Sequence, residues 1–244
     1  KTAIKLSPTD YEYYKLLIQV QIKLNKLDEA SKTYAQALKD VHVPNYDFER
    51  IIRNDWALFN IQQTHKYDTV TSVYKKLVEP SEKTYYYPGH KESFRGSYED
   101  YYFMLGLAEY TKGDFTPAYN HWLTAMELGY GSTYYYYSVA HFDSIVKRHP
   151  DEAMPNLLNA IALYKSSPYL GSKGESLLND ALINIEKAEK LNINTPSLNF
   201  WKAKILFGLR KYSEALEQIN TAISMDKKNP KLYEFRASTW RELG

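Results

Sequence analysis

Cysteine is missing from all 244 residues, which excludes disulfides, thiolate nucleophiles and cysteine-ligated metals but leaves the redox compartment open. Net charge is nearly missing as well. The 31 basic and 29 acidic residues leave +2, so bulk electrostatics give no case for nucleic acid or an anionic membrane. No apolar run approaches the roughly 18 residues of a spanning helix. The expectation is a soluble chain with no membrane span, either cytoplasmic or exported with its leader removed. Glycine and proline are few, 10 each, and fall mostly between stretches with helical spacing.

Catalytic patterns are lacking too. There is no Gly-x-Ser-x-Gly elbow, and Gly171-Ser-Lys-Gly174 has neither the spacing nor the ending of a phosphate loop. The histidines (His42, His65, His90, His121, His141, His149) form no His-Glu-x-x-His motif and no other ligand-like spacing. His141 and Asp143 lie two apart on a helix, so their side chains diverge. A non-catalytic protein without cofactor or metal is expected.

What is present is tyrosine, 24 residues in a chain that is 15% aromatic and 44% hydrophobic, enough to bury a core. Its spacing is helical. In Tyr98–Leu128, Leu105, Gly106, Tyr110, Ala118, Trp122 and Ala125 recur three, four or seven apart. Lys112-Gly113-Asp114 interrupts them with a stop, a left-handed-tolerant glycine and an N-cap. This helix–turn–helix recurs. Alanines seven apart, two helical turns on one face, mark Ala30/Ala37, Ala118/Ala125, Ala153/Ala160, Ala181/Ala188 and Ala215/Ala222. Ala181 to Ala215 and Ala203 to Ala237 are both 34 positions, and Ala118 to Ala153 is 35.

A helix–turn–helix period of 34 resembles the tetratricopeptide repeat (TPR) family. Tyr102, Leu105-Gly106, Gly113, Phe115, Ala118, Trp122 and Ala125 stand in register with that family's pattern, and Ala203, Tyr212, Ala215 and Ala222 repeat it. The resemblance covers most of the chain. It implies an all-α, right-handed superhelical array of antiparallel helical hairpins, an α-solenoid of about 12 helices.

Along the chain, Thr9-x-x-Glu12 reads as a capping box, followed by helices over about 10–24 and 27–41. A second unit spans about 45–79, where Val70 and Leu77 replace the alanines and imply wider helix separation. The Pro80–Gly96 loop follows, long for a repeat connection. A fourth unit runs from about Thr133 to Lys165. Then the phase breaks, because Ala153 to Ala181 is only 28, and a first-type helix looks missing or collapsed into the loop. Ser172-x-x-Glu175 caps the next helix, to about Leu191. The expected domains are therefore a stack of four hairpins at 1–165, an irregular joint at 166–173, and a second stack at 174–244. Since the chain opens without methionine and stops mid-repeat at Gly244, further chain, a partner or a cap is expected beyond it.

In the family, the first helix of each repeat lines a concave groove. The corresponding places here are Asp55, Trp56 and Phe59; Phe103, Met104, Leu107 and Tyr110; Tyr134, Tyr137 and His141; and Phe200, Trp201 and Lys204. Aromatics in such places offer large contact area at low rotamer cost. About half of them are expected to be packing, with Tyr102, Leu105, Tyr110, Trp122 and Phe207 assigned to the core. Tyr134–Tyr137, successive residues about 100° apart on a helix, cannot all face inward. Tyr85, Tyr86 and Tyr87 of the long loop are a second candidate, either closing over the groove or packing on adjacent helices. Family members that grip acidic peptides use a cationic lattice, but Trp56 and Phe59 stand where it would be. The ligand implied is a hydrophobic or mixed peptide or partner helix, and the function a protein–protein interaction scaffold. Carbohydrate or small-ligand binding through stacking on Tyr and Trp is the alternative.

Overall fold

A computed structural model describes residues 2–41, 46–78, 95–128, 135–169 and 173–244, except the side chains of 46–49, 95–98, 135–138 and 169. Tyr85, Tyr86, Tyr87 and Tyr134 lie outside the described residues, as does the side chain of Tyr137. The described residues are helical throughout, and they fall into two compact units, Lys1–Leu128 and Gly129–Gly244.

The first unit holds α1 (Thr2–Leu6), α2 (Tyr11–Lys23), α3 (Leu27–Asp40), α4 (Tyr46–Gln62), α5 (Tyr67–Val78), α6 (Arg95–Lys112) and α7 (Phe115–Leu128). The second holds α8 (Tyr135–Arg148), α9 (Ala153–Ser166), a 3-10 turn (Ser167–Tyr169), α10 (Gly174–Lys190), α11 (Pro196–Gly208), α12 (Tyr212–Met225) and α13 (Pro230–Leu243). Thus 166–173, read as a joint, lies inside the second unit. Arg95 and Gly96, read as the end of a loop, already belong to α6.

Burial bears out the alanine register except at Ala153, which is half-buried at the start of α9. Ala30, Ala37, Ala118, Ala125, Ala160, Ala181, Ala188, Ala215 and Ala222 are fully buried. A second register appears in the turns. Asn25, His65, Gly113 and Arg210 all have positive φ, and each stands five positions before Ala30, Val70, Ala118 and Ala215 respectively. One residue on, a backbone N–H closes each helix end: Lys26 to the Gln21 carbonyl at 2.8 Å, and Lys66 to Asn60, Asp114 to Glu109 and Lys211 to Leu206 at 2.9 Å. Only one of these four left-handed residues is glycine.

Two local readings change. Helix α2 is capped by Asp10, whose Oδ1 accepts the Glu12 N–H at 3.0 Å, rather than by Thr9. Helix α10 begins at Gly174, behind Lys173 with no side-chain cap, and Ser172 is outside the described residues. Where Val70 replaces alanine, α5 packs more on α6 than on its hairpin partner α4, as the larger side chain requires.

Among the described residues no α-helix stands between α9 and α10. Instead α9 packs along α10 as extensively as α6 does along α7. Ser167 and Pro168 after α9, Gly174 and Leu178 at the start of α10, and Gly208 and Leu209 at the end of α11 line one shallow cavity of about 350 Å³. Helices α9 and α11 are therefore parallel, with α10 antiparallel to both. Helix α9 is second helix to α8 and first helix to α10, and every residue from Pro155 to Leu163 is buried.

Candidate partner-binding surface

The tyrosine excess has a structural explanation first. Tyr11, Tyr14, Tyr34, Tyr74 and Tyr119 are buried, their rings filling helix contacts and their hydroxyls needing partners. Tyr11 donates to Asp55 Oδ2 and Tyr14 to Asp40 Oδ2, both at 2.8 Å, and Tyr74 donates to Asn54 Oδ1 at 3.1 Å. Burial, then the bonded carboxylate, pushes the Tyr14 phenol up to about 12; burial likewise raises Tyr11, Tyr34 and Tyr74. Half-buried Asp55 is thus an acceptor for a core tyrosine. Charged and polar side-chain contacts also join the helices of this unit. Arg50 on α4 meets buried Asp100 on α6, and buried Glu109 lies 2.6 Å from His121 Nδ1 on α7 and 3.7 Å from Lys75 Nζ on α5.

Several expected groove residues are core. Phe59 is only 3% exposed, its ring 5.3 Å from Tyr34, so it offers a partner no surface. Its half-buried neighbour Trp56 packs against both apolar clusters of this unit. Met104 and Leu107 pack half-buried against the α4–α6 cluster. Phe103 lies 6.1 Å from the fully buried Trp122, and its carbonyl accepts the indole N–H at 3.1 Å. Half-buried Tyr110 packs its ring, tilted, 5.3 Å from Trp122 and 5.2 Å from Phe115, which makes it packing, as expected for that residue.

In the second unit α11 gathers Phe200, Trp201 and Lys204. Spacings of four and three residues put Lys204 over both rings, 4.9 Å from the Phe200 centroid and 4.8 Å from that of Trp201. Tyr164, from α9, joins at 5.9 Å from Lys204 and 5.8 Å from Trp201. Lys165 Nζ lies 5.6 Å over Trp201. Covered in this way, Trp201 is 3% exposed, and its indole N–H finds no acceptor among the described residues. Lys204 meets no carboxylate among them either. Burial, and then Lys231, push its ammonium pKa down, while the ring faces favour the charged form. Tyr164 and Lys165 were not legible as site residues, because α9 reaches α11 only through the phase break. His141 sits on α8, its ring 5.1 Å from Phe142, with burial and then Arg148 lowering its pKa to about 4.

Buried alanines and left-handed turn residues, both in fixed register, decide the repeat type. The hairpins have the form of a tetratricopeptide-like α-solenoid. Among solved structures, the chain is similar to the TPR2AB domain of yeast Sti1 in its complex with pHSP90, at 16% identity, 95% and 97% coverage of the two chains and a TM-score of 0.37. It is similar to a tetratricopeptide repeat protein from Parabacteroides merdae, at 18% identity, 98% and 89% coverage and a TM-score of 0.39. It is also similar to a thermophilic TPR protein of Thermus thermophilus, at 15% identity, 95% and 99% coverage and a TM-score of 0.34. No family model and no curated protein matches the chain. Among the described residues of these hairpins, no group of three or more metal-ligating side chains occurs, and no helix is long and apolar enough to cross a membrane.

Proposed function

We propose that the chain is a non-catalytic scaffold that binds a peptide or partner helix of mixed character on its first-type helices. The observation that carries this reading is the α11 cluster. Phe200 is a half-buried ring, and Lys204 beside it is a desolvated cation with no carboxylate among the described residues. An apolar partner side chain set on Phe200, with an acceptor group turned to Lys204, uses both. Lifting the lysine also opens the unpaired Trp201 N–H to a second acceptor. Trp56 supplies the corresponding half-buried aromatic in the first unit. Nucleic acid is not favoured, because the chain is near neutral.

Panning the chain against a displayed random-peptide library tests this, with a glycan array in parallel. The expected result is an enriched peptide motif whose affinity drops about tenfold or more in Phe200→Ala and Trp56→Ala, as interface anchors do, with unchanged circular dichroism. Enrichment that survives both substitutions overturns the site. Glycan binding without peptide binding favours the carbohydrate reading instead.

A further inference from the structure

Two lysines come together beside one ring of the second unit. Helices α11 and α13 run in the same direction, each joined to α12 by a short turn. Phe235 of α13 lies between two rings of α11, 5.8 Å from Phe200 and 5.4 Å from Phe207. Lys231, one turn before Phe235, therefore comes level with Phe200. Lys204 starts one turn beyond Phe200. Like other long side chains on helices it leans back toward the N-terminus, which sets its ammonium 4.9 Å from the same ring. The two charges are near enough that Lys231, after burial, helps push the Lys204 pKa down. Neither lysine pairs with a carboxylate among the described residues, and Glu234, three places after Lys231, forms no ion pair with it. The ring faces favour the Lys204 ammonium but leave the repulsion between the two charges uncancelled. Beneath Lys204, the buried Trp201 N–H is a third donor without an acceptor among the described residues.

On the reading that a partner segment docks on α11, we propose that the group it turns to Lys204 is a phosphoserine or phosphothreonine, held between Lys204 and Lys231. A phosphomonoester carries about −1.5 to −2 charges at neutral pH and three acceptor oxygens. Those numbers match two ammoniums and one indole N–H. A carboxylate carries a single charge and two oxygens, so it leaves one lysine uncompensated and one donor unmet. Lys165, 5.6 Å from the Trp201 centroid, adds a further positive charge from α9. Phe200, half-buried between the lysines, then takes the apolar residue beside the phosphorylated one.

The first test uses no peptide. Phenyl phosphate titrated to about 10 mM, enough to detect millimolar binding, should shift the indole N–H resonance of Trp201, identified by its loss in Trp201→Phe. Benzoate should shift it far less, and Lys204→Met, which keeps an apolar stem over the rings and removes the charge, should abolish the shift. In the second test, an array of synthetic random peptides carries serine, glutamate or phosphoserine at a fixed central position. The phosphoserine form should bind about tenfold or more tightly than the glutamate form, as a further compensated charge requires. Lys231→Ala should lose most of that preference with unchanged circular dichroism. An absent Trp201 shift, an equal shift with benzoate, or one that survives Lys204→Met overturns the proposal. Peptides that bind equally in all three forms overturn it too, while leaving the peptide-docking reading in place. A chain that takes phenyl phosphate but no peptide of any form overturns the docking reading itself. A single-stranded oligonucleotide that displaces the phosphopeptide at equal affinity overturns the proposal in favour of nucleic acid.

Discussion

Replacing Gly106 with alanine tests a close helix crossing in the first unit. In an open helix this change stabilises by about 0.5–1 kcal/mol, since glycine loses the most backbone freedom on folding. Here a Cβ at Gly106 would stand 2.7 Å from Cδ1 and Nε1 of Trp122 and 3.0 Å from the Ala118 carbonyl oxygen. Neither neighbour yields easily. Trp122 is fully buried and held by its N–H bond to the Phe103 carbonyl, and the Ala118 oxygen is helix backbone. Forcing one extra carbon into such a contact costs about 1–3 kcal/mol, and losing the indole bond adds about 1 kcal/mol. Subtracting the propensity gain leaves a net loss of about 1–3 kcal/mol. Urea unfolding followed by tryptophan fluorescence reads it as a lower midpoint at unchanged slope. Trp122→Phe removes the obstructing five-membered ring, so the double variant should lose less than the two single losses together. A neutral or stabilising Gly106→Ala would refute the close crossing.

Other expectations follow from the same packing. Ala215→Leu and Ala118→Leu should each destabilise by about 1–3 kcal/mol, because both alanines are fully buried where helices cross; unchanged melting temperatures for both would refute the register. Arg210→Gly should raise stability by roughly 0.5 kcal/mol, the left-handed cost of about 1–2 kcal/mol being partly offset by glycine's extra unfolded freedom, as thermal melts can measure. His141 should make stability fall with acidity. Its folded pKa of about 4 lies below the unfolded value near 6.5, so the unfolded chain binds the extra proton between those pH values and stability is lost as pH drops from 6.5 toward 4. The full loss is at most about 3 kcal/mol, and urea midpoints of His141→Phe should depend less on pH across that window.

The helix–turn–helix order was legible because its signals are local. Alanines two turns apart and a glycine between two amphipathic stretches announce a hairpin without reference to the rest of the chain. Burial depth was not local. Trp56 and Phe59 look alike in sequence, but Phe59 is core because Tyr34, 25 positions earlier, lies against it. Trp201 reads as a groove residue until Tyr164 and Lys165 arrive from α9, and nothing in α11 itself foretells that. His65 and Arg210 carried no turn signal, since their left-handed backbone is imposed by the hydrogen bonds that close each helix. The exposed apolar side chains on α2 (Leu16, Val20) and α13 (Tyr233, Trp240) have ordinary helical spacing, and spacing does not say whether a neighbour is there to cover them.

The doubled role of α9 bears on cooperativity. A regular array behaves as a row of near-independent blocks, each able to fray at the seam with the next. Between α8 and α10 there is no such seam, because the helix that completes one hairpin also begins the other. Opening either hairpin exposes the same stretch from Pro155 to Leu163 to water. The middle of the second unit should therefore open only as a whole, with amide protons of α8, α9 and α10 exchanging in a single step, while α13 at its edge exchanges first.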